Sequence, residues 1–353
     1  MPPPNIYMMR QIIISTLLVF SLTFNVNAQN QIAVQHVGIS SFYTKLDSAI
    51  IHAQSGDTIY IPGGNYTINE TISKCIHLVG VGHHPDSANV TARTVISGYP
   101  QLVLDNGADY GSVTGIFFNW PACGYNNCQN ITILGTVTGY TISRCYLSGD
   151  IWANSPLSSN LSLTENIIHN IQSFATNISV NNNILLGTIF ITNSSTLKNN
   201  VITFSSPGYN QYAFYGNGTD CIIENNIFKP GCTAIGPYGG SNIYHNNLNA
   251  GVNGIYNSNQ GSGNFLDNIL LQSIFVNYDP ATDIYYDDFH LPVGSPYKNA
   301  GRDGTDIGIY GGAFPWKAGS IPFNPHFQSI QIGSTTNPSG NLNVNIKAAA
   351  QDH

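Results

Sequence analysis

Seven copies of one short phrase between Ile142 and Leu270 constrain this chain more than anything else in it. The phrase is an apolar residue, two variable ones, an asparagine, then two more mostly apolar residues. Its copies are Ile142–Leu147, Leu163–Ile168, Val180–Leu185, Leu197–Ile202, Ile223–Phe228, Tyr244–Asn249 and Phe265–Leu270, starting 21, 17, 17, 26, 21 and 21 residues apart. A repeat of about 20 residues with variable length is the signature of a solenoid, each copy forming one coil.

Stacked coils place equivalent residues about 4.8 Å apart along the solenoid axis, so the phrase can be read by columns. Positions one, five and six are apolar in most copies and read as strand or core-facing positions. Position four is asparagine in six of the seven copies, with Cys145 standing in the first. The sequence predicts a tight turn tolerating positive φ there, and an inward amide ladder that starts after Cys145. Positions two and three read as solvent-facing. Arg144 and Glu165 share position three in adjacent coils, and Lys198 and Glu224 share position two, which predicts two cross-strand ion pairs.

Only 8% of residues are charged, against about 25% in ordinary domains. The polar surface must come from Asn, Ser, Thr, Gly and Tyr, which suit tight turns and stacked strands. With 42% apolar residues a large core is available, which argues against disorder. Arg10, the apolar run Ile12–Phe24 and Val26-Asn27-Ala28 read as a signal peptide over residues 1–28. Its removal takes the net charge from −7 to −8, a poor match for nucleic acid. No later stretch approaches the length of a membrane span. In a secreted chain Cys123 with Cys128 and Cys221 with Cys232 can close small loops, or the cysteines can lie free in the core.

At the mature N-terminus, Phe42–Gln54 reads as an amphipathic helix, with Leu46, Ala49, Ile50 and Ala53 on one face. It would cap an array whose open end otherwise exposes strand edges. Strand patterns follow from Thr58. Residues 317–353 read as a linker and a hairpin, Phe327–Ile332 with Leu342–Ile346, turning at Asn337–Gly340.

The helix, the stretch Ser55–Tyr66, the stretch Lys74–Gly80 and the Asn-rich coils together resemble the right-handed parallel β-helix proteins of the pectin-lyase-like superfamily. Phe289–Pro296 and Gly304–Gly312 are similar to the closing coil of its secreted bacterial members. The resemblance covers residues 40–316. It implies an all-β, single-stranded right-handed parallel β-helix, a three-sheet solenoid of about ten coils spanning residues 29–316. It implies little about activity, because one fold carries many functions.

A lyase of that superfamily needs a Lys or Arg to remove the proton α to a uronate carboxylate, and a cation such as Ca²⁺ to hold the charge that develops. Arg144 and Lys198 are the candidate bases. A hydrolase needs two carboxylates facing one cleft; Asp105 and Asp109 are nearest to that and also read as an ordinary turn. The pair His83-His84 reads as a solvated loop. Asp279, Asp283, Asp287 and Asp288 are candidate Ca²⁺ ligands, since loop carboxylates suit that ion. The aromatics Trp120, Tyr125, Trp152, Tyr209 and Tyr212, four of them in inserts between coils, suit sugar stacking. Two readings stand: a secreted protein, extracellular or at a bacterial cell surface or in the periplasm, that binds extracellular polysaccharide or a cell-surface glycan without catalysis, or a polysaccharide lyase acting on uronate-containing glycans.

Overall fold

The computed structural model describes residues 31–85, 92–98, 101–120, 129–203, 212–215, 218–230, 234–235, 240–249, 260–265, 269–317, 319, 321, 323 and 326–349. Its body is a parallel β-helix. One sheet stacks ten parallel strands, from Thr58–Tyr60 through Thr141–Ser143 and Thr196–Lys198 to Gln260–Ser262. The other two faces are joined because Tyr146–Ala153 and Ile167–Ser173 run continuously through both, with a register shift at the corner between Leu147 and Asp150.

The phrase is the corner between the first sheet and the second. Position one points inward: Ile142, Leu163, Val180, Leu197, Ile223 and Tyr244 are buried in the solenoid core, with Leu147, Ile168, Leu185, Ile202 and Phe228 from position six. Position three carries the left-handed backbone, with φ near +50° at Arg144, Glu165, Asn182, Asn199, Asn225 and Asn246. The turn residue is thus one place earlier than expected. Position four turns its side chain in. Asn166, Asn183, Asn200, Asn226, Asn247 and Asn264 form a continuous ladder, in which each amide oxygen beyond the first accepts both the backbone N–H and the side-chain N–H of the asparagine one coil before, at 2.9–3.1 Å. Cys145 donates only its backbone N–H to Asn166, and the ladder does start after it.

The last coil departs from the sequence reading. Gly261, not Phe265, aligns with Tyr244, and Asn264 is the final rung. Gly261 is not apolar, so the pattern hid a 17-residue step. Gly263 fills position three with φ +69°, and an added Cβ there would crowd the Asn246 side chain.

Position five lies in the strand at Ile167, Ile184, Val201 and Ile227, as one half of its reading has it, but faces outward rather than into the solenoid core. Ile167, Ile184, Val201, Ile227 and Leu248 form a second hydrophobic cluster, covered by Leu271, Ile274, Phe275, Phe289, Leu291, Tyr297, Ile307 and Ile309. The chain after the last coil therefore folds back as a strap along the outside. It docks on the position-three column one coil at a time, toward the N-terminal end. Asn246 donates to Ala300 O, Arg302 N donates to Asn225, and Asn182 donates to Ile309 O and Gly311 O. Lys317 N then reaches Glu165 and Ile321 O reaches Arg144.

At the N-terminal end the cap differs from the expected single helix. Ile32–His36 and Ile39–Tyr43 form an antiparallel hairpin on the first sheet, turning at Val37 and Gly38 with positive φ, and only Leu46–His52 is helical. Leu46, Ala49 and Ile50 close the core as the periodicity predicts. At the other terminus His326–Thr336 and Leu342–Ala349 pair antiparallel. Cys221 is a buried free thiol, as are Cys145 and, less deeply, Cys75, which for Cys221 is the second of the two readings; Cys123, Cys128 and Cys232 lie outside the described residues.

Candidate functional site

The two candidate bases are both held in ion pairs. Arg144 and Glu165 meet as the register predicts, Nε to Oε2 at 3.1 Å, yet the pair is not solvent-facing: the Arg144 side chain is 0% exposed. Ile321 O caps one guanidinium nitrogen and the Phe323 ring lies 3.6 Å over the guanidinium carbon. Burial lowers the Arg144 pKa, opposed by Glu165, and raises that of Glu165, opposed by Arg144. Lys198 Nζ sits 3.0 Å from Glu224 and is 37% exposed; Arg302 grips the other carboxylate oxygen. Burial pushes Glu224 up, but hydrogen bonds and charge from Lys198 and Arg302 prevail and hold it below the usual carboxylate range. Near that grip, Asp306 takes the Lys298 ammonium and the Asn299 backbone N–H.

The other carboxylates serve the backbone. Asp105 accepts from Asn106 N and Asp109 from Thr138 N, so both fix turns. In the acidic loop, Asp279 accepts from Ala281 N, Asp283 from Tyr285 N, Asp287 from Asp279 N and Asp288 from His290 N. Among the described residues no three His, Cys, Asp or Glu side chains are placed to share a metal ion.

Of the predicted aromatics, Trp152 is half-buried on the outer side of the third face. Gln172 and then Phe190 follow it in register on the next two coils, and Phe174 packs on Phe190 at 5.1 Å. Trp120 N–H donates to Ser148 Oγ at the preceding corner. Tyr212 lies on the strand Tyr212–Tyr215 of the next coil, where Tyr215 and not Tyr212 is in register with Phe190, while Tyr125 and Tyr209 fall outside the described residues. The structure thus supplies Gln172, Phe174 and Phe190, which sequence reading passed over. Gln172 stands 20 residues after Trp152 and Phe190 another 18 on, so the signal that finds these two is the coil offset carried over to the third face.

A cleft of about 270 Å³ opens where the strap crosses the second sheet, lined by His83, His84, Ile167, Ile184, Ile284, Tyr285, Asp287, Asp288, Phe289, His290, Tyr310, Trp316 and Gly319. The His83-His84 loop is not solvated: His83 is 1% exposed. Its Nδ1 lies 2.9 Å from the Tyr285 hydroxyl, which is also 3.0 Å from His83 O. That carbonyl can only accept, so the hydroxyl proton goes to it and Nδ1 carries the proton donated to the hydroxyl oxygen. Nε2 is then a lone-pair acceptor, and it has no partner among the described residues. Burial, with the charges of His84 and Arg93, lowers the His83 pKa to about 3, so the ring is neutral. Across the cleft His290 Nδ1 lies 2.6 Å from Asp288 and its ring stacks on Tyr310 at 3.7 Å. Burial raises the Asp287 pKa, and the Asp279 and Asp283 charges add to it against the Asp279 N–H. On the other side of the 3₁₀ turn Ile284–Tyr286 a more open groove of about 660 Å³ runs past Tyr146, Thr203, Lys229 and Tyr278.

No protein-family model matches the sequence, and no curated protein sequence matches it.

Proposed function

We propose that this chain is a secreted protein of the pectin-lyase-like kind that binds extracellular polysaccharide along the outside of its β-helix without cleaving it. The observation that carries this reading is the outward file Trp152, Gln172, Phe190 on three successive coils. Aromatic rings two coils apart stand about 10 Å from one another along a rigid axis, and an amide lies between them. That alternation suits a linear glycan, whose sugar faces stack on rings while hydroxyls bond to the amide. The lyase reading is weaker because its two candidate bases are bound to carboxylates; Lys198, partly exposed, is the one that keeps it open.

Affinity electrophoresis in gels containing neutral and acidic polysaccharides tests the proposal. We expect retardation in at least one gel, reduced at least about tenfold in apparent affinity, roughly 1.4 kcal/mol, by Trp152→Ala. Normal mobility in every gel would sink it. Ultraviolet absorbance of an unsaturated product, with or without Ca²⁺, that disappears in Lys198→Ala would install the lyase instead.

A further inference from the structure

We propose that the cleft between His83 and Trp316 is a separate subsite for a single sugar unit bearing a free ammonium group, a 2-amino-2-deoxy hexose. This rests on the saccharide-binding reading and adds a ligand class to it. The cleft is closed on one side by the β-helix, through Ile167 and Ile184, and on the other by the strap, so it suits the end or a branch of a glycan rather than a chain passing through.

The charges choose the class. Asp287 and Asp288 line the cleft, and no lysine or arginine does so among the described residues. Arg93, outside the lining, contacts the Phe117 ring and hydrogen-bonds the Tyr285 hydroxyl. A uronate or sulfated sugar would place an anion beside two carboxylates, with only the imidazoles of His84 and His290 in the lining to offset it and His290 already paired with Asp288, whereas an ammonium would relieve the repulsion that Asp279 and Asp283 exert on Asp287. Aromatic walls add to this, since Trp316 and Tyr310 attract a cation while offering apolar surface to the sugar ring.

His83 is the independent sign that a donor belongs here. A fully buried imidazole nitrogen without a partner is costly, and in this tautomer Nε2 can only accept. An ammonium or a hydroxyl supplies the missing proton donor.

The test is titration of the full chain with D-glucosamine, N-acetyl-D-glucosamine and D-glucuronate, at a pH where the amine is charged, followed by saturation-transfer NMR and tryptophan fluorescence. We expect glucosamine to bind about tenfold more tightly than its N-acetyl form, and glucuronate weakest. The preference should fall to near unity in Asp287→Asn. Asp288→Asn, on a half-exposed side chain, should lower it as well and serves if Asp287→Asn fails to fold. Equal affinity for the amine and its acetamide, a preference for glucuronate, or a preference that survives both substitutions overturns the proposal. Retardation by polysaccharide gels together with any of these outcomes removes the subsite and leaves the proposed function standing, whereas loss of retardation removes the function itself.

Discussion

At the residue scale, what decides the fate of the few charges is which column they occupy. Position three has positive φ, which Asn tolerates better than Arg or Glu do, and in four coils Asn there binds the strap. In the two coils where Arg144 and Glu165 take the place, the strap still docks, now on an ion pair. An Arg fully withdrawn from water holds its place only while its carboxylate, carbonyl and aromatic partners remain. Arg144→Ala strands Glu165, so we expect a loss of about 3–5 kcal/mol of stability in denaturant titration. The double change Arg144→Met with Glu165→Leu should recover most of it, because no unpaired charge is left. Lys198→Ala, on a partly exposed pair whose carboxylate keeps Arg302, should cost only about 0–1 kcal/mol. Equal losses for Arg144→Ala and Lys198→Ala would show that burial of the first pair has been misread.

At the scale of elements, the strap and the hairpin beyond it are different kinds of structure. The strap completes a hydrophobic cluster and satisfies a column of amides, and Gly311 packs so closely that a Cβ would overlap Asp306 O. The hairpin strands pair with each other and with no other described strand, and Ile332, Val344 and Ile346 stay about half exposed. Two strands alone are marginal in water. Ending the chain after residue 325 should therefore leave the melting temperature of the solenoid unchanged. Ending it after residue 316 removes Ile321 and Phe323 from Arg144 and Lys317 N–H from Glu165, and should cost about 1–3 kcal/mol, two hydrogen bonds and a cation–π contact at a buried ion pair. Differential scanning calorimetry of the two truncations distinguishes the elements; equal melting temperatures would mean that the cover over Arg144 contributes nothing.

At the scale of the whole molecule, legibility follows sequence distance. The coils, the ladder and the paired charges were readable because each is a local phrase repeated, and its stacking makes columns of residues about 20 apart. The inward or outward sense of position five was not, because an apolar residue looks the same facing a solenoid core or a strap whose contacts on the coils span 54 to 177 residues of sequence. The cleft was illegible for the same reason: His83 belongs to an early coil and Tyr285 to the strap, 202 residues on. That junction ties the two ends of the chain together, and it makes the fold sensitive to acid. His83 has a folded pKa of about 3 against 6.5 for a free imidazole, so between those values the unfolded chain binds a proton that the folded chain refuses. Stability is therefore full above about pH 6.5 and falls by up to about 1.4 kcal/mol per pH unit as the pH drops toward 3. The groups facing the ring act in the same direction or stay uncharged: His84 and Arg93 oppose a second positive charge, and burial keeps the Tyr285 and Tyr146 hydroxyls protonated. Glu224, held low, loses its contribution only as the pH falls through its own depressed value, while Glu165, held high, gains on protonation and works against it. Urea titrations between pH 7 and pH 4 should show the wild type losing a few kcal/mol, and His83→Gln, neutral throughout, should flatten that slope even though it begins less stable. An equally steep slope in His83→Gln would place the acid sensitivity elsewhere in the chain.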